Sequence, residues 1–280
     1  MTMEAGTIAQ ALSAAAALGA PRLDAQLLLL HALGRGGEER AWLLAHDSDP
    51  LAPEAAAAFE RHLVRRLAGE PVAYLTGEKE FHGLSLQVDA RVLVPRPDTE
   101  TLVDWAIERL AGLHEVRVID LGTGSGAIAL ALQKARPDLQ IHAVDASQDA
   151  LAVARANAER LGLPVRFAHG DWLEGAGTGY GLIVSNPPYI PAQDPHLPAL
   201  AHEPLAALAA GADGLDDIRR IIEAAPAHLD DDGWLLLEHG HDQAAQVRAL
   251  LDARGFAQVQ SRKDLAGIER CSGGLWRAVK

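Results

Sequence analysis

The chain has 280 residues, nearly half of them apolar, and its 25 basic and 38 acidic side chains leave a net charge of −13. That length accommodates one large domain or two modest ones with a buried core, and the acidic balance disfavours a nucleic-acid partner, whose binding draws on phosphate neutralisation. The single cysteine, Cys271, excludes an internal disulfide and an all-cysteine metal site.

The opening MTMEAGTIAQAL lacks a basic segment followed by an apolar stretch, and no run reaches the roughly 18 apolar residues of a membrane span. The expectation is a cytoplasmic, monomeric protein with no membrane contact. Residues 1–70 read as a small helical bundle. Ile8, Leu12 and Ala15 share one face of a first helix, and PRLDAQLLLLHALG is framed by Pro21 and Gly34. AWLLAH is a third piece, and PEAAAAFERHLVRRLAG a fourth, with Phe59, Leu63 and Leu67 at helical spacing. Residues 71–97 change character. EFHGLSLQVDARVLVP alternates apolar and polar residues around Gly83, which predicts a β-hairpin linker. A helix restarts at PDTETLVDWAIERL, so residues 98–280 are taken as the last domain.

From about residue 115, strands and helices alternate: VRVID, GAIALALQKA, IHAVD, DALAVARANAERLG, VRFAHGD, GLIVSN, LDDIRRIIEAAPAHL, WLLLEHG and QAAQVRALLDARG. That alternation predicts an α/β fold with a mostly parallel sheet covered on both faces, closed by two strands within FAQVQSRKDLAGIERCSGGLWRAVK.

VRVIDLGTGSGAIAL sets Gly122, Gly124 and Gly126 where a strand hands over to a helix. Glycine permits a tight turn and close approach of a ligand, and a carboxylate ending the next strand, Asp145, suits a ribose diol. Together they predict a cofactor of adenosine type. Asp171 and Trp172 follow the third strand, where a carboxylate and an aromatic face suit an adenine, although packing alone explains the tryptophan equally well. His239 and His241 in EHGH have no HExxH partner and no nearby cysteine, so no metal is expected and both are read as strand-end histidines near solvent.

GLIVSNPPYIP ends a buried strand on Asn186 and then fixes the backbone with Pro187 and Pro188. The result is a stiff bracket offering the Asn186 side-chain carbonyl and the Pro187 main-chain carbonyl, with Tyr189 as a flat face. Two acceptors beside an aromatic plane suit a planar NH₂ group. Such a nitrogen is a poor nucleophile, so holding both hydrogens aims it at an electrophilic methyl.

DLGTGSG, the Asp145 strand end and NPPY resemble class I S-adenosylmethionine-dependent methyltransferases acting on nitrogen. Residues 71–104 (PVAYLTGEKEFHGLSLQVDARVLVPRPDTETLVD), NPPYIP and EPLAALAAGADGL sharpen the resemblance to the peptide chain release factor glutamine methyltransferases, the PrmC/HemK family. The resemblance implies a Rossmann-like domain with a seven-stranded sheet and an N-terminal helical substrate-recognition domain. It implies methylation of the N5 amide of the glutamine in the Gly-Gly-Gln motif of class-1 release factors, with S-adenosyl-L-homocysteine as the other product. Carried over, Gly122, Thr123, Gly124, Ser125, Gly126, Asp145, Asp171, Trp172 and Asn186 bind the cofactor. Asn186, Pro187, Pro188, Tyr189 and Arg96 hold the glutamine, with Asn186, Pro187 and Tyr189 as the catalytic set. Pro95, Pro97, Thr99 and Glu100 border the pocket, and Asp98 stands where the family often has glutamate. The alternatives are a ribosomal-protein glutamine methyltransferase and an adenine-N6 methyltransferase, which shares NPPY.

Overall fold

The structure, a computed structural model, describes residues 6–278. The chain forms two compact units, 1–78 and 79–280.

The first unit is helical. Helix α1 (Ile8–Ala17) opens on Thr7, whose side chain accepts from the Gln10 amide while the Gln10 side chain accepts from the Thr7 amide. This reciprocal cap satisfies two otherwise orphaned donors. Helices α2 (Arg22–Ala32), α3 (Arg40–Ala45) and α4 (Pro53–Leu67) follow, and Leu28, Leu29, Leu30, Leu43, Phe59 and Leu63 fill their shared core. Within the stretch expected to be a hairpin linker lies a short helix, α5 (Val72–Thr76), bounded by Pro71 and by Gly77 in the left-handed region.

In the second unit, β1 (Glu78–Phe81) and β2 (Leu84–Gln87) form the expected hairpin, turned by His82 and Gly83, both at positive φ. Glu78, its first residue, still belongs to the first unit. Then come α6 (Glu100–Arg109), β3 (Arg117–Leu121), α7 (Ala127–Ala135), β4 (Gln140–Asp145), α8 (Gln148–Leu161), β5 (Arg166–His169) and β6 (Tyr180–Ser185). The chain closes with α9 (Asp216–Ala224), β7 (Leu229–Glu238), α10 (Ala244–Arg254), β8 (Ala257–Lys263) and β9 (Glu269–Leu275). The seven strands lie in the order β5-β4-β3-β6-β7-β9-β8. Only the pairings made by β9 are antiparallel.

Because side chains alternate along a strand, each strand serves two cores. Val118, Leu182, Val184 and Leu236 pack with α6, α7 and α8, whereas Ile119, Ile183, Leu235 and Leu237 pack with α9 and α10. The β3 register sets Leu121 opposite Val144 on one side and Ser185 on the other. Three strand ends therefore finish at one edge.

His239 departs from expectation. It is wholly buried, its Nδ1 2.9 Å from the Gly240 carbonyl and its Nε2 2.8 Å from the Ser272 hydroxyl. The reason is that β7 runs to its last residue alongside β9, pairing Glu238 with Cys271, so the following histidine is still covered. Burial holds its pKa below the usual imidazole value. His241 is exposed. Among the described residues, no helix is long and apolar enough to cross a membrane, and no group of His, Cys, Asp or Glu is arranged to hold a metal ion.

Asn157 of α8 stitches the site's support. Its Nδ2 donates to the Gln87 carbonyl at 2.9 Å and the Ser125 carbonyl at 3.0 Å, and its Oδ1 accepts from the Gln87 amide at 2.7 Å. Asn157→Ala removes the partner of the buried Ser125 carbonyl and of two part-buried Gln87 backbone groups, so the expected loss is about 1–3 kcal/mol of stability. Urea unfolding should show a lower midpoint at unchanged slope.

Candidate active site

The strand edge carries a cleft of about 420 Å³. Gly122, Gly124, Asp145, Asp171, Trp172, Asn186 and Pro188 line it, so the glycine loop, the acidic strand end and the Asn-Pro-Pro bracket face one cavity.

The loop's geometry needs its glycines. Gly122, Gly124 and Gly126 all have positive φ, at 69°, 56° and 85°. A Cβ on Gly122 would stand 3.1 Å from the Trp172 ring, and one on Gly126 would press on Leu130 at 3.0 Å. One on Gly124 would meet no atom within 4 Å, because that residue borders the open cleft. The Gly122 and Thr123 amides are both tied to the Val144 carbonyl, at 2.8 and 3.0 Å. Thr123 and Ser125 turn inward and are buried, and Thr123 Oγ1 donates to Asp120 at 2.6 Å.

Asp145 is half-buried. Its Oδ2 accepts from the Gly124 amide at 2.8 Å and its Oδ1 from the Ser147 amide at 2.8 Å. Each oxygen keeps a second lone pair. Asp171 pairs with Arg220 at 2.6 Å, and Trp172, at positive φ, donates from Nε1 to Asp217 at 3.1 Å. Both partners sit on α9, which thereby holds the far wall of the cleft. Arg91, Ser147, Asp217 and Arg220 also line the cavity and were not singled out from sequence, although the DDIRR run places Asp217 and Arg220 one helical turn apart.

At the end of β6, Asn186 Nδ2 is 3.2 Å from Thr99 Oγ1, while Oδ1 has no protein partner among the described residues. The Ser185 hydroxyl donates to the Leu121 carbonyl at 2.7 Å and closes the seam between the two strand ends. Pro187 is buried and, unlike Asn186 and Pro188, is not part of the cleft lining; its carbonyl accepts no hydrogen bond among the described residues. Tyr189 does not line the cleft. Its carbonyl accepts from Gln243 Nε2 at 3.0 Å and its hydroxyl faces Glu238 Oε1 at 3.4 Å. Burial first, then the Glu238 charge, raises the phenol's pKa. Arg96 is likewise outside the cleft lining, paired with buried Glu203 at 2.5 Å. Glu100 accepts from the His82 amide in the hairpin turn. Pro204, Ala206 and Ala207 also line the cleft.

Segment 203–215 is fastened to the bracket. Ile190 and Ala210 exchange backbone bonds with their neighbours across this pairing: Ile190 N to Leu208 O at 2.9 Å and Ala210 N to Ile190 O at 3.0 Å. Gly214, at φ 76°, passes so close that a Cβ there would lie 2.2 Å from the Tyr189 carbonyl oxygen.

Asp120, beneath the loop, is fully buried. Desolvation lifts its carboxyl to about 7 against the opposing hydrogen bond from Thr123, and its Oδ1 has no partner. A raised pKa means that the folded state loses stability as pH climbs from the ordinary carboxylate range through about 7. Asp120→Asn should flatten that slope. Relative to wild type it should gain up to about 4 kcal/mol between about pH 4 and pH 8, read from denaturation midpoints across pH.

Residues 99–210 match the methyltransferase small domain, and residues 7–77 match the PrmC N-terminal domain. The release factor glutamine methyltransferase of Bordetella pertussis is 52% identical over 260 residues, covering 91% of this chain and 95% of that protein. That of Coxiella burnetii is 46% identical over 252 residues, covering 89% and 90%. A methyltransferase from Pyrococcus furiosus, 19% identical, superposes with a TM-score of 0.54 over 78% of this chain and all of that one, a likeness of fold. The cleft, its bracket and these full-length similarities agree: the chain belongs to the release factor glutamine methyltransferase family.

Proposed function

We propose that the protein methylates the side-chain amide nitrogen of the glutamine in the Gly-Gly-Gln motif of class-1 release factors, using S-adenosylmethionine. The observation that supports this most is Asn186, which lines the cavity that the glycine loop also lines and whose Oδ1 has no protein partner among the described residues. An acceptor there, together with the Pro187 carbonyl one residue on, which accepts no hydrogen bond among the described residues, would match the two N–H donors of a carboxamide.

The cleft's residues fit the cofactor. Gly124 leaves open space, Asp145 keeps lone pairs for a ribose diol, and Trp172 and Asp171 stand where an adenine would lie. Bound there, it supplies an electrophilic methyl on a sulfonium. The chain's own part is positional. Displacement at carbon needs nitrogen, methyl and sulfur nearly in line, and two fixed acceptors hold the amide plane in that attitude. As the nitrogen gains positive character its N–H groups bind those acceptors more strongly, which favours the transition state over the ground state. No side chain is assigned as base, since the N-methylated amide before deprotonation is acidic enough to yield its proton to water. The helical first unit, which matches the PrmC N-terminal domain, is assigned to contact with the release factor, as the family resemblance implies.

Asn186→Ala should cut kcat by about 10²–10³ with little change in cofactor affinity. Asp145→Ala should instead weaken cofactor binding, measured by calorimetry. Mass spectrometry of a purified release factor after incubation should show one added methyl on the glutamine. Labelling of duplex DNA in place of the protein would refute the assignment.

A further inference from the structure

Helix α9 turns two different faces to its neighbours. Ile218, Ile221 and Ile222 are buried in the core they share with Ile119, Ile183 and Leu235, while Asp217 and Arg220, one turn apart, line the cleft. Arg220 spans two carboxylates there. Its Nη2 is 2.6 Å from Asp171 Oδ2, and its Nη1 is 3.5 Å from Asp217 Oδ1. Asp217 Oδ1 also accepts from Trp172 Nε1 at 3.1 Å. The arginine is therefore joined, directly or through one carboxylate, to both residues assigned to the adenine.

Stability does not account for this arrangement. Arg220 and Asp171 are each about half exposed, and ion pairs so exposed contribute little to folding. Trp172 stands at φ 52°, a left-handed conformation that is costly for a bulky side chain. A strained tryptophan and a tethered aspartate, both lining the cleft and both fastened to one helix, belong to a ligand site more than to packing.

What the tether provides is an acceptor with no freedom to turn. Arg220 holds Asp171 Oδ2, and Oδ1, the remaining oxygen, has no protein partner among the described residues. Adenine offers an exocyclic NH₂ to such an acceptor. Hypoxanthine puts a carbonyl at that position and an N–H on the next ring atom. A carboxylate free to swing can follow the N–H. One pinned by a guanidinium cannot, and it meets the carbonyl, acceptor against acceptor.

We propose that Arg220 is a positioning residue that pins the Asp171 carboxylate, and through Asp217 the Trp172 ring, so that the cleft takes adenine and rejects hypoxanthine. The inference rests on the reading of this cleft as the S-adenosylmethionine site. Arginine suits the task because its planar fork meets two carboxylates at once. The fork starts from a helix fixed by its buried isoleucines, which makes its placement reproducible.

The test is calorimetric and needs no turnover. S-adenosyl-L-homocysteine and its hypoxanthine analogue, S-inosyl-L-homocysteine, are titrated into wild type, Arg220→Gln, Asp171→Ala and the double variant. Wild type should prefer the adenosyl compound by about a hundredfold, less than the roughly 10⁴ of a fully buried polar site because Asp171 is half exposed. Arg220→Gln should bind the adenosyl compound about tenfold more weakly and the inosyl compound no worse, so the preference shrinks to about tenfold or less. Its thermal midpoint should match that of wild type. In the Asp171→Ala background the same substitution should leave the preference unchanged, since the two residues act as one unit.

A parallel loss of both ligands in Arg220→Gln marks a wall support without selectivity and overturns the proposal. So does a further change of preference when Arg220→Gln is added to Asp171→Ala, which would mean that Arg220 meets the base directly. A wild type that binds both compounds equally also overturns it, and leaves the cofactor reading standing. A wild type that binds neither compound sinks the cofactor reading itself, and the inference with it.

Discussion

The parallel pairing of β3 with β4 on one side and β6 on the other is the constraint on which the site depends. Leu121 lies opposite both Val144 and Ser185, so the residues that follow each strand, Gly122 and Asn186, emerge side by side with Asp145. A shift of one residue would turn every side chain of a strand to the opposite face. The two cores make such a shift costly, because Val118 and Ile119 are buried in different clusters. Chemistry at the edge is therefore held in place by hydrophobic burial well below it. The Ser185 hydroxyl on the Leu121 carbonyl then fastens the seam where backbone pairing runs out.

Two carboxylates are buried close to this edge. Asp120 accepts from Thr123 Oγ1 at 2.6 Å and from the Ala129 amide at 3.3 Å, which draws the glycine loop onto the first turn of α7. Glu238 stands behind the Asn-Pro-Pro-Tyr bracket. In both, desolvation dominates and pushes the carboxyl to about 7. Groups so placed weaken the fold at neutral pH. Their presence beside the glycine loop and behind the Asn-Pro-Pro-Tyr bracket alike fits a site whose rigidity is obtained at some cost in stability.

Much of this was legible in the sequence, for reasons that differ along the chain. The strand–helix alternation after residue 115 showed the sheet, since apolar runs bounded by glycine, proline or aspartate are local signals. Gly122, Asp145 and Asn186 were legible as neighbours because a parallel α/β sheet gathers strand carboxyl ends at one edge. What stayed hidden depends on contacts distant in sequence. Arg220 reaches Asp171, and Thr99 reaches Asn186, and no periodicity encodes either pairing. His239 looked solvent-facing because EHGH reads as a strand exit, and only the antiparallel β9 alongside covers it. Helix α5 was missed for a simpler reason, being too short for a helical period to register.

The bracket's stiffness is not intrinsic to its two prolines. They fix φ at their own positions, but a stiff segment without anchors would still swing as a body. The anchors come from segment 203–215 and from Gln243, which lies just before α10. Ile190 is bonded on both sides by that segment, and Gln243 Nε2 binds the Tyr189 carbonyl at 3.0 Å and the Asp213 carbonyl at 3.2 Å. The close pass at Gly214 makes this possible, because any side chain there would strike the Tyr189 carbonyl. The same segment contributes Pro204, Ala206 and Ala207 to the cavity wall, while Glu203 holds Arg96 and the Val94 amide. One stretch thus buttresses the bracket, closes the cleft and ties in the PRP segment. Under the proposed placing of a weak nucleophile, geometry held from several directions contributes more than any single reactive group. That is why the residues supporting the bracket are spread along so much of the chain.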